Sequence, residues 1–326
     1  MIDFRYHLVS IIAVFLALAV GLLVGSTALS GKAVEALTAA QRAALNKNAS
    51  LQKQVSMYQN QVTADQAFAT ASSKRLLDGL LTGQSVVIVT APGFDSAMIG
   101  GLRTALTEAG ATVTGEVDLQ SSFLITTGQT ETALTGLAQQ LAAHAGLTLT
   151  TQPSSSVVGQ QAAAQVLAAS LMSRDGAALS TATSQHILSG LSQGGYVSIA
   201  SGGPVPAPAT LAILVTPSGA PPQTGGEVLA ATALALKNAG DGTVMAGPVS
   251  AVGSGSVIDV ENSARNVSTV DNADTESGQI MTVWALYYLR AGKPAAQYGI
   301  ANGVVPSPAP SVSGTPTVTP SVGAHT

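Results

Sequence analysis

The hydrophobic pattern of the chain begins with a long apolar segment. Residues 8–29 run for 22 positions without a charged side chain. A helix of that length spans roughly 33 Å, enough to cross a hydrocarbon core of about 30 Å. The pattern predicts a membrane anchor within residues 1–31. Residues 26–28 resemble a signal-peptide cleavage site, so a cleaved signal peptide stays open as the alternative.

Small residues recur every four positions within this segment. Ala13, Ala17, Gly21 and Gly25 would share one face of the helix. The Gly-x-x-x-Gly spacing of the last two is a pattern that allows two membrane helices to approach closely. We expect this face to pack against a second copy of the helix. The alternative is that glycine and alanine are simply common in such helices.

A heptad pattern continues beyond the apolar segment. Residues 32–74 contain neither Pro nor Gly, which favours one continuous helix. The a positions would be Val34, Gln41, Asn48, Val55, Val62 and Ala69, and the d positions Leu37, Ala44, Leu51, Tyr58 and Asp65. This predicts a parallel dimeric coiled-coil stalk over residues 32–75. A single helix that packs back on a globular domain is the alternative.

The pattern changes to alternating strands and helices after residue 76. An apolar strand at 85–90 is followed by a Pro-Gly turn, a helix at 95–109 and a strand at 111–117. The same order recurs from a strand at 210–216 to a strand at 243–246. Two such units predict a mainly parallel, Rossmann- or flavodoxin-like α/β domain over residues 76–302.

The remaining segments complete this division. We expect further helices near 131–145, 160–174, 179–192 and 275–291, and a strand at 196–200. The tail, residues 303–326, is rich in Pro, Ser and Thr and is predicted to be disordered.

Charge and composition restrict the possible functions. Only 9% of the residues are charged, and there is no cysteine, which excludes disulfides and thiol chemistry. Residues 30–75 carry six basic and two acidic side chains, whereas residues 76–326 carry six basic and fourteen acidic ones. The acidic domain gives no electrostatic reason to expect nucleic acid. Basic residues after the apolar segment favour a cytoplasmic domain, while the Pro-rich tail favours an extracytoplasmic one.

Two motifs carry a resemblance to a known family. The opening residues 1–26 (MIDFRYHLVSIIAVFLALAVGLLVGS) and residues 267–299 (VSTVDNADTESGQIMTVWALYYLRAGKPAAQYG) resemble the mycobacterial copper transport protein B family of actinobacteria. The resemblance extends in order and spacing to about residue 299. It implies a membrane-associated envelope protein, linked to copper efflux or tolerance and proposed to form channels, with its large domain outside the cytoplasmic membrane.

Copper ligands are not evident as a motif. The histidines (7, 144, 186 and 325) and the methionines (1, 57, 98, 172, 245 and 281) are scattered along the chain. Periplasmic copper sites favour clustered imidazole and thioether ligands. We therefore expect no resident cofactor, copper only as a transported ion, and core packing for Met98, Met172, Met245 and Met281. A copper site assembled by folding stays open.

Enzyme motifs give little support for catalysis. Residues 190–194 (GLSQG) satisfy the pattern G-x-S-x-G, but a nucleophile elbow follows a strand and opens a helix. Here the motif is predicted to end a helix before a strand. Residues 253–256 (GSGS) could form a backbone anion-binding nest, although a plain loop is the simpler interpretation.

The most suggestive polar cluster is Asp271, Asn272 and Asp274. Asp274 or Thr275 would cap the last helix. The functional alternative is a cation or ligand site beside the strand ends, where open α/β sheets bind ligands.

Together these features predict a non-enzymatic, single-pass envelope protein with a role in copper transport or homeostasis. Its partners would be the lipid bilayer and a second copy of the chain, bound through anchor and stalk. Two alternatives stay open: a dimeric envelope scaffold, and a ligand-binding or degenerate-enzyme α/β module.

Overall fold

The computed structural model describes residues 4–151, 155–199, 206–219, 224–251, 257–258 and 266–300. The predicted tail at 303–326 and the predicted nest at 253–256 lie outside the described residues. Contacts divide the chain into two compact units, Met1–Asp65 and Gln66–Thr326. The four-part division predicted from the sequence stays a prediction.

A single helix, α1 (Phe4–Leu77), begins the described chain. It contains a candidate membrane span at Tyr6–Ser26, 21 residues long, with none of its side chains buried. The small residues of the predicted packing face are exposed, and a Cβ atom added at Gly21 or Gly25 would meet no atom within 4 Å. Leu51, Val55 and Val62, from the heptad pattern, are likewise exposed. These apolar residues of the heptad pattern are therefore exposed in the single chain, and the predicted coiled coil stays a prediction.

The second unit is an α/β domain. Its helices are α2 (Ser96–Glu108), α3 (Gly128–Ala145), α4 (Val158–Leu171), α5 (Thr181–Gln193), α6 (Gly225–Ala239) and α7 (Glu276–Arg290). Its strands are β1 (Ser85–Thr90), β2 (Thr112–Leu119), β3 (Val197–Ile199), β4 (Leu211–Val215), β5 (Gly242–Ala246), β6 (Ser268–Val270) and β7 (Gln297–Tyr298). Short 3-10 helices cover Ser121–Leu124 and Val249–Ala251.

Among the described residues, seven strands form one sheet in the order β3-β2-β1-β4-β5-β6-β7. Every neighbouring pair is parallel except β2 and β3, which are antiparallel at the sheet edge. The chain runs outward from β1 to β2 on one side and from β4 to β7 on the other. The sheet is therefore doubly wound, with its topological switch point between β1 and β4.

Side chains alternate between two cores along each central strand. In β1, Val87 and Val89 face the core formed with α3–α6, whereas Val86 and Ile88 face the core formed with α2 and α7. Strands that are apolar at every position are what a sheet covered on both faces requires. The last turns of α1 join the second core, because Leu77 is fully buried and Ser73 donates a hydrogen bond to Glu108.

The predicted fold class is confirmed: an apolar N-terminal helix precedes a mostly parallel α/β sheet. Two details differ from the sequence expectations. The helix expected at 160–174 ends at Leu171, because Met172 leaves the helix and forms a β-bridge with Ala209. Strands β6 and β7 were not predicted, since they are only three and two residues long.

Candidate functional site

The carboxyl edge of the sheet at the switch point is where doubly wound folds bind ligands. Here two turns meet across it. Ala91 donates its N–H to the carbonyl of Val215 over 2.9 Å, which joins the turn after β1 to the end of β4. A Cβ atom added at Gly93, whose φ is +86°, would lie 3.6 Å from Cβ of Pro217. The turn after β1 therefore begins with Ala91 and Pro92, at the place where a dinucleotide-binding fold has its glycine-rich loop.

Polar side chains at the same edge are mostly turned inward. Thr90, at the end of β1, donates a hydrogen bond of 2.7 Å to Oδ1 of Asp118 at the end of β2. Thr216, just after β4, is fully buried, and its Oγ1 has no hydrogen-bond partner among the described residues. A Cβ atom added at Gly247 would lie 2.0 Å from that oxygen. The backbone at Gly247 therefore passes close to Thr216 and covers its hydroxyl group.

The Asp271–Asp274 cluster follows β6 at this edge. Asp271 is completely buried, and its Oδ1 accepts the N–H of Ile300 over 2.8 Å. That bond ties the end of β6 to the residues after β7. A Cβ atom added at Gly299 would lie 1.9 Å from the same oxygen, so the backbone approaches the carboxylate as closely as only glycine permits.

The other two members of the cluster have different surroundings. Asn272 is buried and places Nδ2 3.4 Å from Oγ1 of Thr275, while its Oδ1 has no partner among the described residues. Asp274 is exposed. The structure therefore encloses Asp271 and Asn272 but leaves Asp274 at the surface.

Thr275 is the residue that caps α7. Its Oγ1 accepts the N–H of Gly278 over 3.1 Å and donates to the carbonyl of Asn272 over 2.7 Å. Of the two caps considered from the sequence, the structure selects Thr275. A ligand role for Asp271, Asn272 and Asp274 stays a prediction.

The G-x-S-x-G sequence at residues 190–194 lies where it was expected, at the end of a helix and before a strand. Ser192 is in the last turn of α5, and Gly194 is the C-terminal cap before β3. Its glycines have a packing role. A Cβ atom added at Gly190 would lie 3.1 Å from Leu141, and one at Gly194 would lie 2.7 Å from Tyr196 and 3.1 Å from Leu137. The two glycines allow α5 to approach α3.

The methionines are core residues. Met98, Met172, Met245 and Met281 are each at most 4% exposed and lie in the two hydrophobic cores. The packing role predicted for them is confirmed. Among the described residues there is no group of three or more His, Asp and Glu side chains that could hold a metal ion.

Two histidines that are far apart in sequence lie side by side. His144 is in the last turn of α3, His186 is in the second turn of α5, and their ring centroids are 4.4 Å apart. Both side chains are exposed. No motif spacing relates these two residues in the sequence, where they are 42 positions apart. Only the packing of α3 against α5 brings them together.

Comparison with known proteins adds the family. The family described as "Copper transport outer membrane protein, MctB" matches residues 1–307. The protein named copper transporter MctB of Mycobacterium tuberculosis is 28% identical over 313 residues, which cover 94% of this chain and 98% of the relative. That of Mycobacterium leprae is 29% identical over 319 residues, covering 93% and 98%. Since the match includes both the apolar helix and the α/β domain, this chain belongs to the MctB family of copper transport outer membrane proteins.

Proposed function

We propose that this chain is a non-enzymatic, membrane-anchored envelope protein that acts in copper transport. The observation that carries the proposal is the extent of the family match, residues 1–307. The relatives named copper transporter are matched over nearly their whole length. A shared role is therefore supported for the complete arrangement of helix and domain, and not for the α/β fold alone, which serves many activities.

The candidate span supports the anchoring part of the proposal. Its 21 residues include no Asp, Glu, Lys or Arg, and none of them is buried in the described chain. Transfer of apolar side chains from water into lipid is favourable by about 25 cal/mol for each Å² of surface removed from water. The large domain would then lie on the extracytoplasmic side, and copper would be cargo that the protein binds transiently.

Growth in copper tests the proposal directly. A deletion strain of the source bacterium should grow poorly at copper concentrations that the parent tolerates, and should accumulate more cell-associated copper by elemental mass spectrometry. The full-length gene should restore both properties, while a frameshifted copy should restore neither. Equal tolerance and equal copper content in parent and deletion strains would contradict the proposed role.

A second candidate function, a dimeric envelope scaffold, is favoured by the uncovered stripe on α1. Leu37, Leu51, Val55, Tyr58 and Val62 are each at least half exposed, although a monomeric helix gains nothing from leaving such residues in water. A parallel coiled coil would bury them at its a and d positions. The small face at Ala13, Ala17, Gly21 and Gly25 would bring the same two chains together.

Cysteine cross-linking tests the dimer, because the natural chain has no cysteine. Leu51→Cys occupies a d position and should form a disulfide-linked dimer in oxidised native membranes. Asn60→Cys occupies an f position, which faces away from the seam, and is the matched control. Equal cross-linking at both positions, or none at either, would be incompatible with the proposed register.

A further inference from the structure

The side-by-side histidines of α3 and α5 are the strongest cluster of metal-ligating groups in the described chain that the fold itself does not require. Their ring centroids are 4.4 Å apart, and the ring planes are inclined by 44°. Both side chains are exposed. Water and dissolved ions therefore reach the pair, whereas the buried methionines are shielded by the core.

The helix packing sets the separation of the two rings. Leu137 lies against Gly194, and Leu141, one turn later in α3, lies against Gly190, one turn earlier in α5. The two helices therefore pack antiparallel. His144 and His186 continue this antiparallel series by one more turn. The pair is thus positioned by the backbone of two helices.

The core anchors both helices beneath the histidines. Leu141 precedes His144 by three positions and is 4% exposed, and Ile187, which follows His186, is fully buried. These residues belong to the same hydrophobic core. An ion bound by the two rings would therefore meet ligands that are already positioned, which lowers the entropic cost of binding.

The separation of the two rings is compatible with their binding one metal ion. With metal–nitrogen bonds of about 2.0–2.1 Å, two imidazoles in neighbouring positions of a square-planar ion have ring centres about 4.5 Å apart. Nitrogen ligands in square-planar or tetragonal geometry are typical of copper(II). Water can complete the coordination, since the pair is open to solvent.

We infer that His144 and His186 together bind copper(II), an assignment that rests on the copper role proposed above. Each ring contributes one nitrogen, and the bound ion bridges the end of α3 to the start of α5. A site with two protein ligands and access to water exchanges its ion readily, as a transient site for transported copper requires. The family and relative names given above include copper but assign no ligand.

The experiment uses the full-length protein in detergent, purified without a histidine tag, with one equivalent of copper(II). Pulsed electron paramagnetic resonance counts the imidazole nitrogens bound to the ion. The wild-type protein should show two imidazoles, and His144→Asn or His186→Asn should each lose the two-imidazole signal and weaken copper binding at least tenfold. His7→Asn and His325→Asn are the matched controls and should retain it. Circular dichroism of each variant verifies that the helices remain folded.

Two outcomes would overturn the inference. One is an unchanged two-imidazole signal in the double variant His144→Asn/His186→Asn. The other is a wild-type protein that shows only one bound imidazole, or none, at one equivalent of copper(II). Neither outcome decides the proposed function, which is judged by whether the wild-type gene itself restores tolerance.

Discussion

Asp271 is the residue at which a structural role and a ligand role are easiest to separate. Its carboxylate has no exposure to solvent and accepts the N–H of Ile300. A buried carboxylate is expensive unless its hydrogen bonds are made. The side chain therefore stabilises the junction between β6 and β7, whatever else the cluster does.

We predict that Asp271→Asn lowers the free energy of unfolding by about 1–3 kcal/mol, because a neutral amide oxygen accepts the N–H of Ile300 less strongly than the carboxylate does. Chemical denaturation of the full-length protein measures the loss. Asp274→Asn, at an exposed position of the same cluster, is the control and should change stability by less than about 1 kcal/mol. An equal loss in both variants would argue against this account of Asp271.

Tyr298 in β7 gives a prediction for alkaline pH. Burial raises the pKa of its phenol above 10.0, and repulsion from Tyr288 raises it further. Because the folded protein holds this proton more tightly than the unfolded chain, the associated stability is present below about pH 10 and is lost as the pH rises through the folded pKa. The free energy of unfolding of Tyr298→Phe should therefore decrease less between about pH 9 and pH 11 than that of the wild type. Denaturant titrations at both pH values check the difference; parallel curves would contradict it.

At the scale of elements, the strands and helices with strong apolar periodicity were predictable. The sequence prediction for β1 matches Ser85–Thr90 at both ends, because it is a continuous apolar run before a Pro-Gly turn. The prediction missed β6, Ser268–Val270, because two of its three residues are polar and are buried only by their neighbours in the sheet. The histidine pair could not be predicted for a related reason: it depends on which helix packs against which, and the local pattern does not contain that information.

The contact between α3 and α5 gives a prediction at this scale. Gly190→Val should force α5 away from Leu141, since even a Cβ atom there lies 3.1 Å from that side chain. We expect a loss of about 1–3 kcal/mol in stability from overpacking, together with loss of the two-imidazole copper signal although both histidines remain. Gly136→Val is the matched control, because Gly136 lies in α3 and has nothing within 4 Å of its added Cβ. Retention of the signal in a folded Gly190→Val variant would show that the glycine does not set the ring separation.

At the scale of the whole molecule, the charge pattern and the description of the family disagree about the orientation of the α/β domain. Six basic side chains against two acidic ones at residues 30–75 favour a cytoplasmic location for whatever follows the apolar helix. That rule counts charges within about 15–20 residues of the membrane, and the excess there is small. The family match extends from the apolar helix through the α/β domain, and the family's description as an outer membrane protein favours the extracytoplasmic side.

Cysteine labelling in intact spheroplasts distinguishes the two orientations. Asp274→Cys places the only thiol of the chain at an exposed position of the α/β domain. If the domain is extracytoplasmic, a membrane-impermeant maleimide should label this variant before lysis to the same extent as after lysis. A cytoplasmic thiol protein in the same cells, unlabelled until lysis, verifies that the membrane is intact, and the natural cysteine-free chain gives the background. Labelling of Asp274→Cys only after lysis would place the domain in the cytoplasm. The proposed binding of envelope copper by His144 and His186 would then fail for lack of access, even if both histidines bind copper in the purified protein.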